Sequence, residues 1–140
     1  MQEVSSKPTI MEIREEMIQR INEVRRKHGV PELAVGQSLM DAAQEYSAYL
    51  YTKHNNRVEC ETAAASGYPY GFGSNLTVFT VTEPEKIPQK ALANWENSPG
   101  HLATMIDPNC DAVGVGVTVN NGRAFCYMFA GNPTAHNPYA

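Results

Sequence analysis

AVGVGVTVNNGRAFCYMF, residues 112–129, decides the fold. Val113, Val115, Val117 and Val119 alternate with small or polar residues, Asn121 and Gly122 form a two-residue turn signal, and Phe125, Tyr127 and Phe129 alternate after it. Period-two hydrophobicity on both sides of Asn-Gly predicts a β-hairpin. With Asn121 and Gly122 as its central residues, Gly116 faces Tyr127 and Gly114 faces Phe129, so aromatic rings are expected to lie over positions without a side chain. The valines, Ala124, Cys126 and Met128 then share the opposite face. Both faces are apolar and both need cover, which only helices can supply. The expected architecture is α+β, a three-layer α-β-α sandwich around a small antiparallel sheet.

The covering helices are visible upstream. Ile10, Ile13, Met17, Ile21 and Val24 recur at helical spacing between Pro8, suited to a first turn, and Gly29, suited to a left-handed terminator. After Pro31 and Gly36, Ser38 opens a second stripe of Leu39, Ala42, Ala43, Tyr46 and Leu50 that ends near His54 and Asn55. A short helix is expected from about Glu61 to Ser66, stopped by Gly67, and the Gly-Tyr-Pro-Tyr-Gly-Phe-Gly run of residues 67–73 is expected as surface loop. Leu76 and Val78 read as a short strand, and Thr82 with Glu85 offers a capping box ahead of a helix carrying Ala91, Leu92 and Trp95. Ser98 is expected to cap a further helix with Pro99 in its first position. Trp95 is read as core.

At 140 residues the chain is one domain's worth, with residues 1–7 and 133–140 expected as flexible tails. Eleven Lys and Arg against 15 Asp and Glu give a net charge of −4, which disfavours nucleic-acid binding. The basic cluster Arg25, Arg26, Lys27 and His28 is read as a solvated helix terminus. No apolar run is long enough to span a bilayer. Three cysteines, Cys60, Cys110 and Cys126, allow one disulfide at most, with Cys110 and Cys126 the favoured pair if one forms.

Trp95-Glu-Asn-Ser-Pro-Gly-His101, the Gly114-Val-Gly-Val117 strand, Ile21-Asn-Glu-Val-Arg25 and the Leu39-to-Tyr46 helix stand in an order and spacing that resembles the CAP superfamily of cysteine-rich secretory, antigen 5 and pathogenesis-related proteins, in its short bacterial branch. The resemblance implies an α-β-α sandwich with a surface cleft that in many members carries two histidines and two acids able to hold a divalent metal. By that resemblance Ser74 stands in the Gly-Glu-Asn motif where a carboxylate is usual, and Ser98 stands where the second acid falls in animal and plant members. His101 is retained, and Glu59 or Cys60 falls near the place of the other histidine, with His54 a few residues earlier. No metal or other cofactor is therefore expected, His101 being a weak candidate ligand together with His54 or Glu59.

Ser98, His101 and Glu96 are close enough in sequence to suggest a nucleophile, a base and an orienting group, and Cys60 with His54 or His101 is a second combination. Residues three apart across a helix start seldom present hydroxyl-to-imidazole geometry, and no protease-like signature surrounds Cys60, so no catalytic residue is assigned. Tyr68, Tyr70 and Phe72, aromatics among glycines, are the expected binding surface. Asn75-Leu-Thr77 matches a glycosylation acceptor pattern. The expectation is a small secreted or extracytoplasmic binding protein whose ligand is a lipid or sterol, a peptide or a protein, with no nucleic acid and no transmembrane segment. Its alternative is a protease-like hydrolase working in the cleft around His101.

Overall fold

In the computed structural model, which describes residues 7–140, Asn121 and Gly122 both take positive φ, 50° and 73°, as a turn of this hand demands. They join β3 (Ala112–Asn120) to β4 (Arg123–His136), and Gly116 pairs with Tyr127 and Gly114 with Phe129, as the spacing predicts. β2 (Tyr70–Thr80) pairs antiparallel with the other side of β4, and the two-residue β1 (Ala34–Val35) pairs parallel with β3, giving the order β1-β3-β4-β2. The sheet is therefore mixed at one edge. No helix among the described residues is long and apolar enough to cross a membrane.

Helices cover both faces. Val113, Val115, Val117, Ala124, Cys126 and Met128 pack with α1 (Ile10–Lys27) and α4 (Ile87–Glu96), and the only tryptophan, Trp95, is wholly buried there. Tyr127 and Phe129 pack against α2 (Gln37–Ser47) and α3 (Asn56–Ala65). The short α5 (Pro99–Met105) follows α4. What lies over Gly114 and Gly116 is not an aromatic ring but the main chain of α2. A Cβ on Gly114 would sit 2.0 Å from the carbonyl carbon of Leu39, and one on Gly116 2.1 Å from the carbonyl oxygen of Ala43. The glycines let a helix rest directly on a strand.

That close approach brings α2 side chains to the outer edge of β3. Val115 donates its N–H to Met40 Sδ (3.4 Å), and its carbonyl accepts from Arg14 Nε (2.8 Å). Val117 donates to Gln44 Oε1 (3.0 Å) and accepts from Gln44 Nε2 (2.8 Å).

Several elements differ from the sequence expectation. The first helix starts at Ile10, capped by Thr9, whose side chain forms a capping box with Glu12, so Pro8 precedes the cap. The second ends at Ser47, well before His54. The third begins at Asn56 because the Asn55 side chain accepts from the Val58 N–H. No capping box forms at Thr82 and Glu85, where Pro84–Lys86 make a 3₁₀ turn instead. Residues 70–73, expected as loop, are strand, because pairing with β4 overrides their turn propensity. Arg25 is buried, donating to the carbonyls of Pro31 (2.6 Å), Met105 (2.8 Å) and Asp107 (3.0 Å), so the basic cluster is not wholly solvated. The expected tail at 133–140 is strand as far as His136, followed by the buried Asn137, while of the expected tail at 1–7 only Lys7 lies within the described residues. All three cysteines are unpaired.

Candidate functional site

Asn55 fixes the start of α3, and one turn later Glu59 points inward, 2% exposed. A buried carboxylate is costly unless hydrogen-bonded. Tyr127 donates to Glu59 Oε2, His54 Nδ1 donates to the same oxygen at 2.8 Å, and Ser74 Oγ donates to Oε1 at 2.7 Å. His54 Nδ1 also lies 3.0 Å from the Tyr127 hydroxyl. Burial works against ionisation of Glu59, yet the donors together outweigh it and hold the carboxyl below its ordinary range. The same hydrogen bond raises His54 and favours imidazolium. Burial and the neighbouring Glu59 both push the Tyr127 hydroxyl far up.

Above this buried cluster lies an open groove of about 620 Å³, lined along one side by Leu76–Thr80 of β2 and elsewhere by Thr52, Lys53, His54, His101 and Arg123. His101 Nδ1 is 2.9 Å from Ser98 Oγ, and burial together with the charge of His54 lowers its pKa, favouring the neutral ring. Ser98 stands at the start of α5 but makes no side-chain cap, its hydroxyl turning to His101 instead. The position of His101 is held by Asn75, which donates to its carbonyl (2.9 Å). Asn75 is 1% exposed, which excludes it as a glycan acceptor in the folded chain.

Of the residues singled out from sequence, His54, Glu59 and Ser74 form one cluster, Ser98 and His101 a second, and both histidines face one groove. Glu96 is elsewhere, paired with Lys27 at 3.2 Å across α1 and α4. The aromatic surface expected at 68–72 is largely packed away. Tyr68 lies over Gly131, where a Cβ would meet its hydroxyl at 2.3 Å, and Phe72 packs against Phe129 at a tilt of 44° with centroids 4.7 Å apart. Only Tyr70 is exposed. Sequence reasoning missed Tyr127 as a polar partner because alternation marked it as core, and it missed the cations Lys53 and Arg123. The available signal was the five-residue spacing of His54 and Glu59 around the helix-capping Asn55.

The donor set does not suit a divalent metal. Ser74 supplies a neutral hydroxyl and spends it on Glu59, both oxygens of Glu59 already accept protein hydrogen bonds, and no group of three His, Cys, Asp or Glu converges among the described residues.

The arrangement defines a class before it defines a chemistry. An outer surface protein from Borrelia burgdorferi superposes with a TM-score of 0.69 at 19% identity, covering 92% of this chain and 99% of its own. The CAP domain of enterococcal PrgA gives 0.71 at 16%, covering 94% and 66%, and the venom allergen-like protein 4 of Schistosoma mansoni gives 0.68 at 12%, covering 92% and 94%. The fold is thus that of CAP domains. Residues 18–132 match the family described as CAP, the cysteine-rich secretory protein family, and the chain belongs to it. No curated protein sequence matches the chain.

Proposed function

We propose that the groove between His54 and His101 is a ligand-binding site and that the protein works by binding, outside the cytoplasm, rather than by turnover. One observation carries this: the acid of the site, Glu59, lies beneath the groove with both oxygens occupied, so it fixes His54 in place and is not free to serve as a base. What remains exposed to a ligand is a strand, two imidazoles and two cations. The outer-surface character named for the Borrelia relative supports the location.

A second reading, hydrolysis, is favoured by the 2.9 Å contact between Ser98 Oγ and His101 Nδ1. Among the described residues no carboxylate bonds the other ring nitrogen of His101, so the pair lacks the orienting group of a triad. The two readings separate in one experiment. Phospholipid vesicles and short peptides are titrated into the isotope-labelled protein while peptide and ester hydrolysis is assayed in parallel. Saturable, chelator-indifferent shifts at His54, Leu76, Val78 and His101 are expected, without turnover. Turnover that falls by about a hundredfold or more in folded His101→Ala would establish the hydrolase instead.

A further inference from the structure

Pairing parity shows which groups of β2 are free. The two-residue turn makes Asn120 and Arg123 a hydrogen-bonded pair, so odd-numbered residues of β4 bond β3 and even-numbered ones bond β2. The Val81 N–H bonding the Gly122 carbonyl (2.8 Å) agrees with this alternation. With Thr77 opposite Cys126 and Asn75 opposite Met128, the amides and carbonyls of Asn75, Thr77 and Phe79 turn toward β4, and those of Leu76 and Val78 turn outward. Among the described residues nothing bonds these outward groups, whereas the equivalent groups of Val115 and Val117 on the opposite edge are all satisfied by Arg14, Met40 and Gln44. The open stretch ends at Thr80, whose carbonyl accepts from Lys90 Nζ (3.3 Å). The part of it from Leu76 to Thr80 lines the groove.

The charged side chains that line the groove are all basic, the one acid near them being Glu59, buried beneath and paired with His54. The basic ones are Lys53, Arg123 and a His54 held toward its protonated form, with no acid among the lining residues, on a chain whose net charge is −4. Leu76 and Val78 face the His54 side of the sheet and Thr77 and Phe79 face the opposite side, so alternate side chains of an added strand would meet different surroundings.

We infer that the bare edge of β2 at Leu76 and Val78 captures an extended peptide bearing an acidic side chain, which adds as a fifth strand while its carboxylate meets the cations of the groove. This rests on the groove being a binding site and names its occupant. Main-chain hydrogen bonds at Leu76 and Val78 supply affinity, and Lys53, His54 and Arg123 supply preference for an acid.

The test uses the full chain and blocked heptapeptides of alternating valine and threonine with Glu, Gln or Lys at the centre. The Glu peptide is expected to bind about tenfold or more tightly than the Lys peptide and to slow hydrogen exchange of the Leu76 and Val78 amides. N-methylation of alternate peptide residues in one parity should abolish binding, and in the other parity leave it. Val78→Pro removes an outward N–H that makes no ladder bond, so it should fold and bind at least about tenfold more weakly. Were that variant unfolded, the N-methyl series decides alone. Failure of all three peptides to bind, or indifference to both methylation parities, overturns the inference. So does protection of the two amides that grows with protein concentration alone, which would make the occupant a second copy of the chain. Groove shifts caused by dodecanoate with the peptides inert would defeat the peptide occupant and leave the binding site standing. Silence to both probes defeats both.

Discussion

Along β3, the outward amide and carbonyl of Val115 meet Met40 and Arg14, and those of Val117 meet the two ends of one glutamine amide, while along β2 the outward groups of Leu76 and Val78 meet nothing from the described residues. Exposed strand edges invite unwanted pairing, and proteins usually cover or charge them. Here one edge is closed by a helix laid so near that the strand beneath it must contain glycine. On the β2 side, α4 and α5 pack near the strand through Asn94, which donates to the Thr77 hydroxyl (3.0 Å), and through the Asn75 contact to His101, without reaching its outward main chain. The closed edge is a device of stability. The open one coincides with the groove, its cations and both histidines, which is where a partner could use it.

If closure depends on α2 touching β3, Gly116→Val should be severely damaging. Its Cβ would lie 2.1 Å from the Ala43 carbonyl oxygen, so the helix must lift and carry Gln44 away from Val117. A loss of at least about 3 kcal/mol in urea denaturation is expected, at the upper end of overpacking penalties because the obstacle is backbone. A loss below about 1 kcal/mol would show that α2 can shift without cost and that the glycines are not what closes the edge.

Gln44→Ala should cost less, about 1–3 kcal/mol, because it strips both partners from the main chain of the buried Val117 while leaving the helix seated. The Val117 amide should then exchange as fast as those of Leu76 and Val78, making the two edges alike in hydrogen exchange. Unchanged protection at Val117 would mean that burial under α2, and not the glutamine, shields it.

The smallest effect belongs to pH and to the open side. His54 is raised above its ordinary 6.5 by Glu59, so its contribution to stability is complete below that value and is lost as pH rises through the folded pKa. Glu59 is lowered from 4.5, so its contribution is present above 4.5 and is lost as pH falls through its folded value. Stability from the pair should therefore be greatest between about 4.5 and 6.5 and decline as pH rises through the folded pKa of His54. His54→Asn should flatten the decline on the alkaline side, as followed by urea midpoints at successive pH values. An unaltered profile would place the titration elsewhere. Because the His54 side chain is 38% exposed, solvent screening keeps the change small.

The hairpin and the burial of its valine face were legible because alternation and an Asn-Gly turn are local signals, and so was the helix on each side, since two apolar faces require two covers. The long β2 was not. Its first residues carry glycines, a tyrosine and a neighbouring proline that look like loop in isolation, and only β4, some 60 residues further on, makes them a strand. Arg25 was misread for the same reason, its carbonyl acceptors at Met105 and Asp107 being about 80 residues distant. Around the groove, Ser74, Glu59, His54 and His101 were each visible as polar residues of the right kind. Their grouping was hidden because Tyr127, which ties Glu59 to the sheet, sits at an alternating position that reads as core. Of the aromatics at 68–72 only Tyr70 has the exposure that glycine-rich surroundings suggest, since Gly131 leaves room for Tyr68 to lie against the sheet and Phe72 packs on Phe129.

The placement of the aromatic residues also divides the molecule optically. Trp95, the sole tryptophan, is wholly buried in the layer formed by α1, α4 and the valine face, so intrinsic fluorescence on unfolding reports first on that layer. The opposite layer holds Tyr46 against Tyr49, Tyr51 and Tyr127, with centroids 4.4–5.8 Å apart, an asymmetric cluster of the kind that gives strong near-ultraviolet dichroism. The two halves of the sandwich thus carry different chromophores. Loosening of the groove side can be followed in the tyrosine dichroism while the tryptophan emission remains that of the native state.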